Sequence, residues 1–534
     1  MTKINKGTNG VAQKAQAASS SVIAKAVSLH MGGKAQEALK VLDGALEKSP
    51  DNPEIHAARG HVQFELAMHE DAVKSYTALL ELVPRHHTGV FNLAVCLEKL
   101  GRWQQASTRF QHAIEIDPSR TDAHLGLGIC LLHLEQAEKA IEHFDLYLSR
   151  NAADETAIFG KAVAMQLLWR FDEALPVYLD LLKRNPASEE ALTNLLAIAM
   201  ARKEDAKITE YAEKLLGVNA AAQPALEGLA TVAFNGGNFE AASKHCEKLT
   251  EATPDHFERW FNLGVARHKI NLLDEAAKAY SEALRIRPDS KQAYVNLGIV
   301  KQQQGDLKSA RECYERALKI SPDLPDILFN LATVIEQQGQ KEEAEKNYQR
   351  LLAKTPDLDE AWFRLGYLRL ERGDYKAAAE AFESSLRKRQ QWAEALVNLG
   401  LAYWKANNRD AAANAFQRLL DAQPESVDAL RGLAAIAVEK DDFNSALDFQ
   451  ARLIDLGERS PELFYNTGLL LQRQGQADDA IRLYREALAE RPSFAEALLN
   501  LGHALKSQGQ DEQAKTLWRQ AIEAKPELAK GYFE

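Results

Sequence analysis

Apolar and small residues return along this chain in two short helical stripes, separated and closed by turn residues. In residues 291–324, Tyr294, Leu297, Gly298 and Lys301 share one stripe, and Gly305 stands where a glycine ends a helix. That spacing predicts a first helix over roughly Gln292 to Gln304. A second stripe runs from Leu307 through Ala310, Tyr314 and Ala317 to Pro322, which cannot continue a helix. The unit is a helical hairpin. Small residues at Gly298 and Ala310 let its two helices approach closely, and Tyr314 fills the space beside them.

The same pattern recurs every 34 residues. Alanine falls at Ala38, Ala72, Ala106, Ala140, Ala174, Ala242, Ala276, Ala310, Ala344, Ala378, Ala412, Ala446, Ala480 and Ala514, with one miss at Ile208. A Gly or Ala usually precedes each beat by twelve residues, an aromatic follows by four, and a proline follows by twelve, as at Gly298, Tyr314 and Pro322. Fifteen units run from Ser19 to Leu528 without insertion or deletion. No hairpin of this size buries its apolar faces alone, so neighbouring units must stack into an all-α solenoid.

Trp260, Leu263, Gly264, Ala276, Tyr280, Ala283 and Pro288, and again Trp362, Leu365, Gly366, Ala378 and Phe382, resemble the tetratricopeptide repeat. The resemblance implies a right-handed α-α superhelix of about fifteen 34-residue hairpins, whose first helices line a concave channel that holds protein segments. The array divides into units 1–5 over 19–188, a degenerate unit 6 over 189–222, and units 7–15 over 223–528. Residues 1–18 read as a disordered tail, and 529–534 as the start of an incomplete helix.

Composition narrows the function classes. A net charge of -11 gives no electrostatic case for nucleic acid, and no apolar run approaches the length of a membrane span. Four cysteines fit a reducing compartment, and the expected location is cytoplasmic. Cys96 and Cys130 occupy equivalent places in adjacent units, about 10 Å apart by helix-packing distances and beyond disulfide reach. They read as small buried hydrophobes.

No catalytic constellation stands out in the sequence. Gly126-Leu127-Gly128 lies inside a predicted helix instead of after a strand, so it is repeat packing and not a dinucleotide fingerprint. Gly32-Gly33-Lys34 lacks the earlier glycine and the Ser or Thr of a phosphate loop. No histidine pair has zinc-like spacing backed by cysteines, and neither a metal nor a cofactor is expected. The chain reads as a non-enzyme.

One feature exceeds what packing demands. Numbering each unit from its first helical residue, the sixth position is Asn92, Asn194, Asn262, Asn296, Asn330, Asn398, Asn466 and Asn500 in eight units. That position lies well away from the core stripe of the first helix, so the amides should face the channel. An amide pairs with the C=O and N–H of any peptide regardless of its sequence. Units about 10 Å apart would meet an extended chain at every third residue or so. This ladder is similar to that of the repeat domain of the O-linked N-acetylglucosamine transferases. Gly126, Gly160, Gly228, Arg364 and Gly432 interrupt it, leaving a continuous grip only from Asn262 to Asn330. The structural alternative is that the amides bond to neighbouring repeats.

Positions five and nine beside the amides are mostly apolar, as in Phe261, Phe329 and Phe363, and either form pockets for partner side chains or pack first helices together. The expected function is a scaffold or adaptor that holds an extended segment of a partner protein. The alternative is the targeting module of a glycosyltransferase whose catalytic domain is absent from this chain. Two departures from the pattern bear on architecture. Leu196, Ile208 and Ala212 in unit 6 put larger or smaller side chains at close-approach points, and predict a change of pitch near residues 200–225. At the other end, Leu517, Trp518 and Ile522 need cover, from the tail or from another copy of the chain in a homo-oligomer.

Overall fold

The computed structural model describes the backbone of residues 8–322 and 324–532, and the side chains of 20–322 and 324–529. Among these residues the chain forms thirty α-helices and one closing 3-10 helix, with no strand. The helices pair as fifteen hairpins. The reference unit has helices at Lys291–Gln303 and Leu307–Ile320, within one or two residues of the expected limits. Stacked hairpins make an α-α solenoid of the tetratricopeptide type.

The chain divides into two compact bodies, Met1–Ala266 and Arg267–Glu534. Within each body, several pairs of successive first helices touch one another. Pro53–Glu65 meets His87–Lys99 in the first body, and Lys291–Gln303 meets Pro325–Gln337 in the second. No pair of successive second helices approaches to that extent among the described residues. Each stack therefore bends with its first helices on the inner side.

Packing follows a size rule. The ring four residues after the alanine beat fills the gap left by the small residue of its own first helix. A Cβ on Gly298 would lie 2.7 Å from Tyr314 Cε1, so only glycine or a slightly displaced alanine fits opposite that ring. Unit 6 reverses the pair. Leu196 stands on the first helix and Ala212 on the second, both with 0 % exposure. Exchange of the large and small partners conserves volume, and one apolar cluster runs through Leu192, Leu196, Ile208, Ala212 and Ala225 without a gap. The division between the bodies falls in the helix Phe257–Lys269.

The ends differ from expectation. The first helix begins at Thr8 and runs to Met31, so residues 8–18 continue the first unit instead of forming a disordered tail. The segment AQKAQAASSS has neither Gly nor Pro to stop a helix, and its alanines favour one. Residues 1–7 of the expected tail lie outside the described residues. At the far end, Pro526–Tyr532 forms a 3-10 helix against Asp511–Ala524, where the start of an α-helix was expected. Trp518 is buried, and Leu517 and Ile522 are half-buried.

Each hairpin turns through one left-handed residue, which is glycine in most units but Ala67, Glu135, Trp169, Lys203, Asn271, Asn407 and Asp441 in the others. An L-residue with a Cβ pays about 1–2 kcal/mol for that conformation. Ala67→Gly, at φ 57°, should therefore raise the stability of the first body by about 1 kcal/mol. Chemical denaturation monitored by circular dichroism checks it, and a loss of stability would show that the Ala67 methyl packs usefully.

Candidate functional site

The sixth positions of the first helices and the apolar residues beside them lie next to the ring of the preceding unit. What lies behind those positions decides what they are free to do. The ring of one unit reaches the sixth position of the next, sixteen residues on. A Cβ on Gly126 would lie 2.4 Å from Phe110 Cζ, and one on Gly432 would lie 2.6 Å from Phe416. Glycine at these breaks in the ladder makes room for the preceding phenylalanine, as it does at Gly160 after Phe144.

Tyrosine calls for the opposite choice. A polar residue follows each one: Asn92 after Tyr76, Asn194 after Tyr178, Asn296 after Tyr280, Asn330 after Tyr314, Arg364 after Tyr348 and Asn500 after Tyr484. The phenols are buried, and all of their hydroxyls but that of Tyr178 have a hydrogen-bond partner. Asn92 Nδ2 donates to the Tyr76 hydroxyl at 3.1 Å. Burial pushes the Tyr76 phenol up to about 12, and the Asn92 hydrogen bond works in the other direction. Asn296 likewise hydrogen-bonds Tyr280. Asn500 Nδ2 donates instead to the hydroxyl of Tyr465, on the first helix of the preceding unit, at 2.9 Å. Three tyrosines of the second body donate to the twelfth position of their own unit, Tyr314 to Gln302 Oε1 at 3.1 Å, Tyr348 to Glu336 Oε2 at 2.7 Å and Tyr484 to Gln472 Oε1 at 2.6 Å. The single exception to the phenylalanine rule is Asn398 after Phe382.

The eight asparagines therefore fall into three groups. Asn92, Asn296 and Asn500 bind tyrosine hydroxyls within the stack. Asn194 and Asn398 donate to carbonyls one turn back on their own helices, Glu190 and Glu394, at 2.9 and 2.8 Å. Asn262, Asn330 and Asn466 have no hydrogen-bond partner among the described residues; Asn262 and Asn466 are exposed and Asn330 is half-buried. The pairing of ring and following residue was present in the sequence as a correlation at a separation of sixteen. Reading one position at a time misses it.

The aromatic flanks are half-buried. Phe329 meets Tyr348 at 6.1 Å between ring centroids, and Phe363 lies 5.7 Å from Phe382 and 4.5 Å from Trp392. Phe261 stacks on Phe257 at 5.7 Å.

His124 and His143 face each other with their Nδ1 atoms 2.9 Å apart, and burial lowers the pKa of both, aided by Arg150 at His124 and by His124 at His143. All four cysteines are free and buried. Burial pushes the Cys96 and Cys130 thiols up to about 12, and those of Cys246 and Cys313 up to about 11, so none is a nucleophile at neutral pH. Among the described residues no group of three or more His, Cys, Asp or Glu is placed to hold a metal, and no helix is long and apolar enough to cross a membrane.

Tetratricopeptide-repeat models match residues 57–119 and 227–291, 99–160 and 471–530, and 289–356. A model of the middle tetratricopeptide-like domain of cilia and flagella-associated protein 70 matches residues 328–439. No curated protein matches. Among solved structures, YrrB, described as a tetratricopeptide-repeat protein with an unusual peptide-binding site, is 25 % identical over 36 % of this chain and 98 % of its own, with a TM-score of 0.33. A tetratricopeptide-repeat protein from Parabacteroides merdae is 20 % identical over 50 % of this chain and 98 % of its own, with a TM-score of 0.33. The C-terminal part of a repeat protein from Cytophaga hutchinsonii is 15 % identical over 45 % and 99 %, with a TM-score of 0.41. With its hairpins in one register, its small-to-large packing pairs and repeat models matching in both bodies, the chain is a tetratricopeptide-repeat protein.

Proposed function

We propose that this chain is a non-catalytic scaffold that holds extended segments of partner proteins along the first helices within each of its two bodies. The observation that carries the reading is the presence of unpaired amides at Asn262, Asn330 and Asn466, which the stack does not use. A peptide backbone offers these amides the donors and acceptors they lack. Half-buried rings at Phe261, Phe329 and Phe363 add apolar contact for side chains. No observation favours the targeting module of a glycosyltransferase.

The two kinds of rung provide the test. Replacing Asn262, Asn330 and Asn466 together by alanine should abolish capture of partner proteins and leave the melting temperature unchanged. Replacing Asn92, Asn296 and Asn500 should do the reverse in part: each loss of a hydrogen bond to a tyrosine costs about 0.5–1.5 kcal/mol, so melting falls. Capture undiminished by the first triple replacement would sink the ladder.

A further inference from the structure

Unit 13 lacks the ring that fills every other unit of the second body. Tyr280, Tyr314, Tyr348, Phe382, Phe416, Tyr484 and Trp518 occupy that place elsewhere, whereas here it holds Gln450. The result is a cavity of about 450 Å³ between the first helices Val427–Glu439 and Pro461–Arg473. This lies within the roughly 300–1,000 Å³ range of ligand pockets. Its walls are apolar, from Ala434, Val438, Leu453, Leu463 and Leu470.

Three polar groups converge on it. Gln450 is 7 % exposed, its Oε1 is buried, and its amide makes no hydrogen bond among the described residues. An amide left in that state costs about 1–3 kcal/mol, which a ligand donor would recover. Asn466, one of the unpaired rungs, stands at the rim. Arg473 also lines the cavity; its guanidinium lies 4.9 Å from the centroid of the Phe443 ring and makes no ion pair among the described residues. The other arginine, Arg431, is paired with Glu458.

We infer that this cavity receives a tyrosine side chain from a bound segment, followed by an acidic residue. The phenol replaces the ring that unit 13 lacks. Its hydroxyl donates to Gln450 Oε1, Asn466 pairs with the segment's backbone, and the adjacent carboxylate meets Arg473. Charge complementarity selects the acidic neighbour, and the unpaired Gln450 selects tyrosine over phenylalanine. The inference rests on the inner-side reading above and gives it a side-chain preference.

The test uses the full chain with methyl-labelled Val and Leu, titrated with acetyl-Tyr-Asp-amide at millimolar concentration. Saturable shifts are expected at Val438, Leu463 and Leu470. Acetyl-Phe-Asp-amide should bind about tenfold more weakly, the equivalent of one hydrogen bond. Gln450→Tyr supplies the missing ring from the chain itself, as Tyr348 does beside Ala332, and should abolish the shifts while raising the melting temperature. Arg473→Ala should weaken the Tyr-Asp peptide without affecting acetyl-Tyr-Ala-amide. Absence of saturable shifts in the wild-type chain, equal shifts from acetyl-Ala-Asp-amide, or shifts that persist in Gln450→Tyr would each overturn the inference. Partner capture that survives Gln450→Tyr but not the triple replacement of Asn262, Asn330 and Asn466 would overturn the tyrosine pocket and leave the inner-side reading standing.

Discussion

Phe416→Ala lowers the stability of the second body by about 3–5 kcal/mol, the cost of emptying a fully buried aromatic site. The ring is 1 % exposed and lies between two glycines, Gly400 of its own unit and Gly432 of the next. A Cβ on either would fall 2.6 Å from it, so neither neighbour has atoms with which to fill the hole. Unit 6 shows how the loss is offset, because Leu196 there stands opposite Ala212. Adding Gly400→Leu to Phe416→Ala should therefore recover more than half of the lost stability. Because repeat arrays need not unfold in one step, hydrogen exchange of the helices Ala393–Lys405 and Arg409–Ala422 is the appropriate measurement. A double variant no more stable than Phe416→Ala would refute the exchangeable size rule.

Arg369→Ala has the second large effect, about 3 kcal/mol. Its Nε donates to Glu345 Oε1 at 3.1 Å, and Arg372 Nη1 reaches Glu345 Oε2 at 2.6 Å. The Glu345 side chain is only 11 % exposed and that of Arg369 is 16 % exposed, whereas that of Arg372 is 49 % exposed. Without Arg369 the buried Glu345 carboxylate keeps only the half-exposed Arg372 and loses the partner best shielded from water. Replacing both, as Glu345→Leu with Arg369→Met, should cost much less than Arg369→Ala. Urea midpoints of the three chains decide the matter. If Arg369→Ala shifts the midpoint no more than an exposed pair would, Arg372 alone suffices for Glu345.

The fold was open to reading because it is written locally and fifteen times. Helix limits at Lys291–Gln303 and Leu307–Ile320 follow from a stripe of small and apolar residues closed by Gly305 and Pro322. The reach of the first helix back to Thr8 was less visible, since a polar alanine-rich segment carries neither a stripe nor a stop signal. The candidate site was legible only in outline. Asn92 and Asn262 occupy the same repeat position and differ in what stands sixteen residues earlier, Tyr76 in one case and Cys246 in the other.

By itself the sequence determined the repeat, its register, its all-α class and the list of side chains presented by the first helices, because each depends on spacing within a helix or on a turn residue. Tertiary structure alone decided which amides are occupied by tyrosine hydroxyls, why Leu196 and Ala212 fit together, and where Gln450 leaves a cavity. Those outcomes depend on the volume and hydrogen-bonding capacity of side chains brought into contact by stacking, and such contacts join residues of different helices.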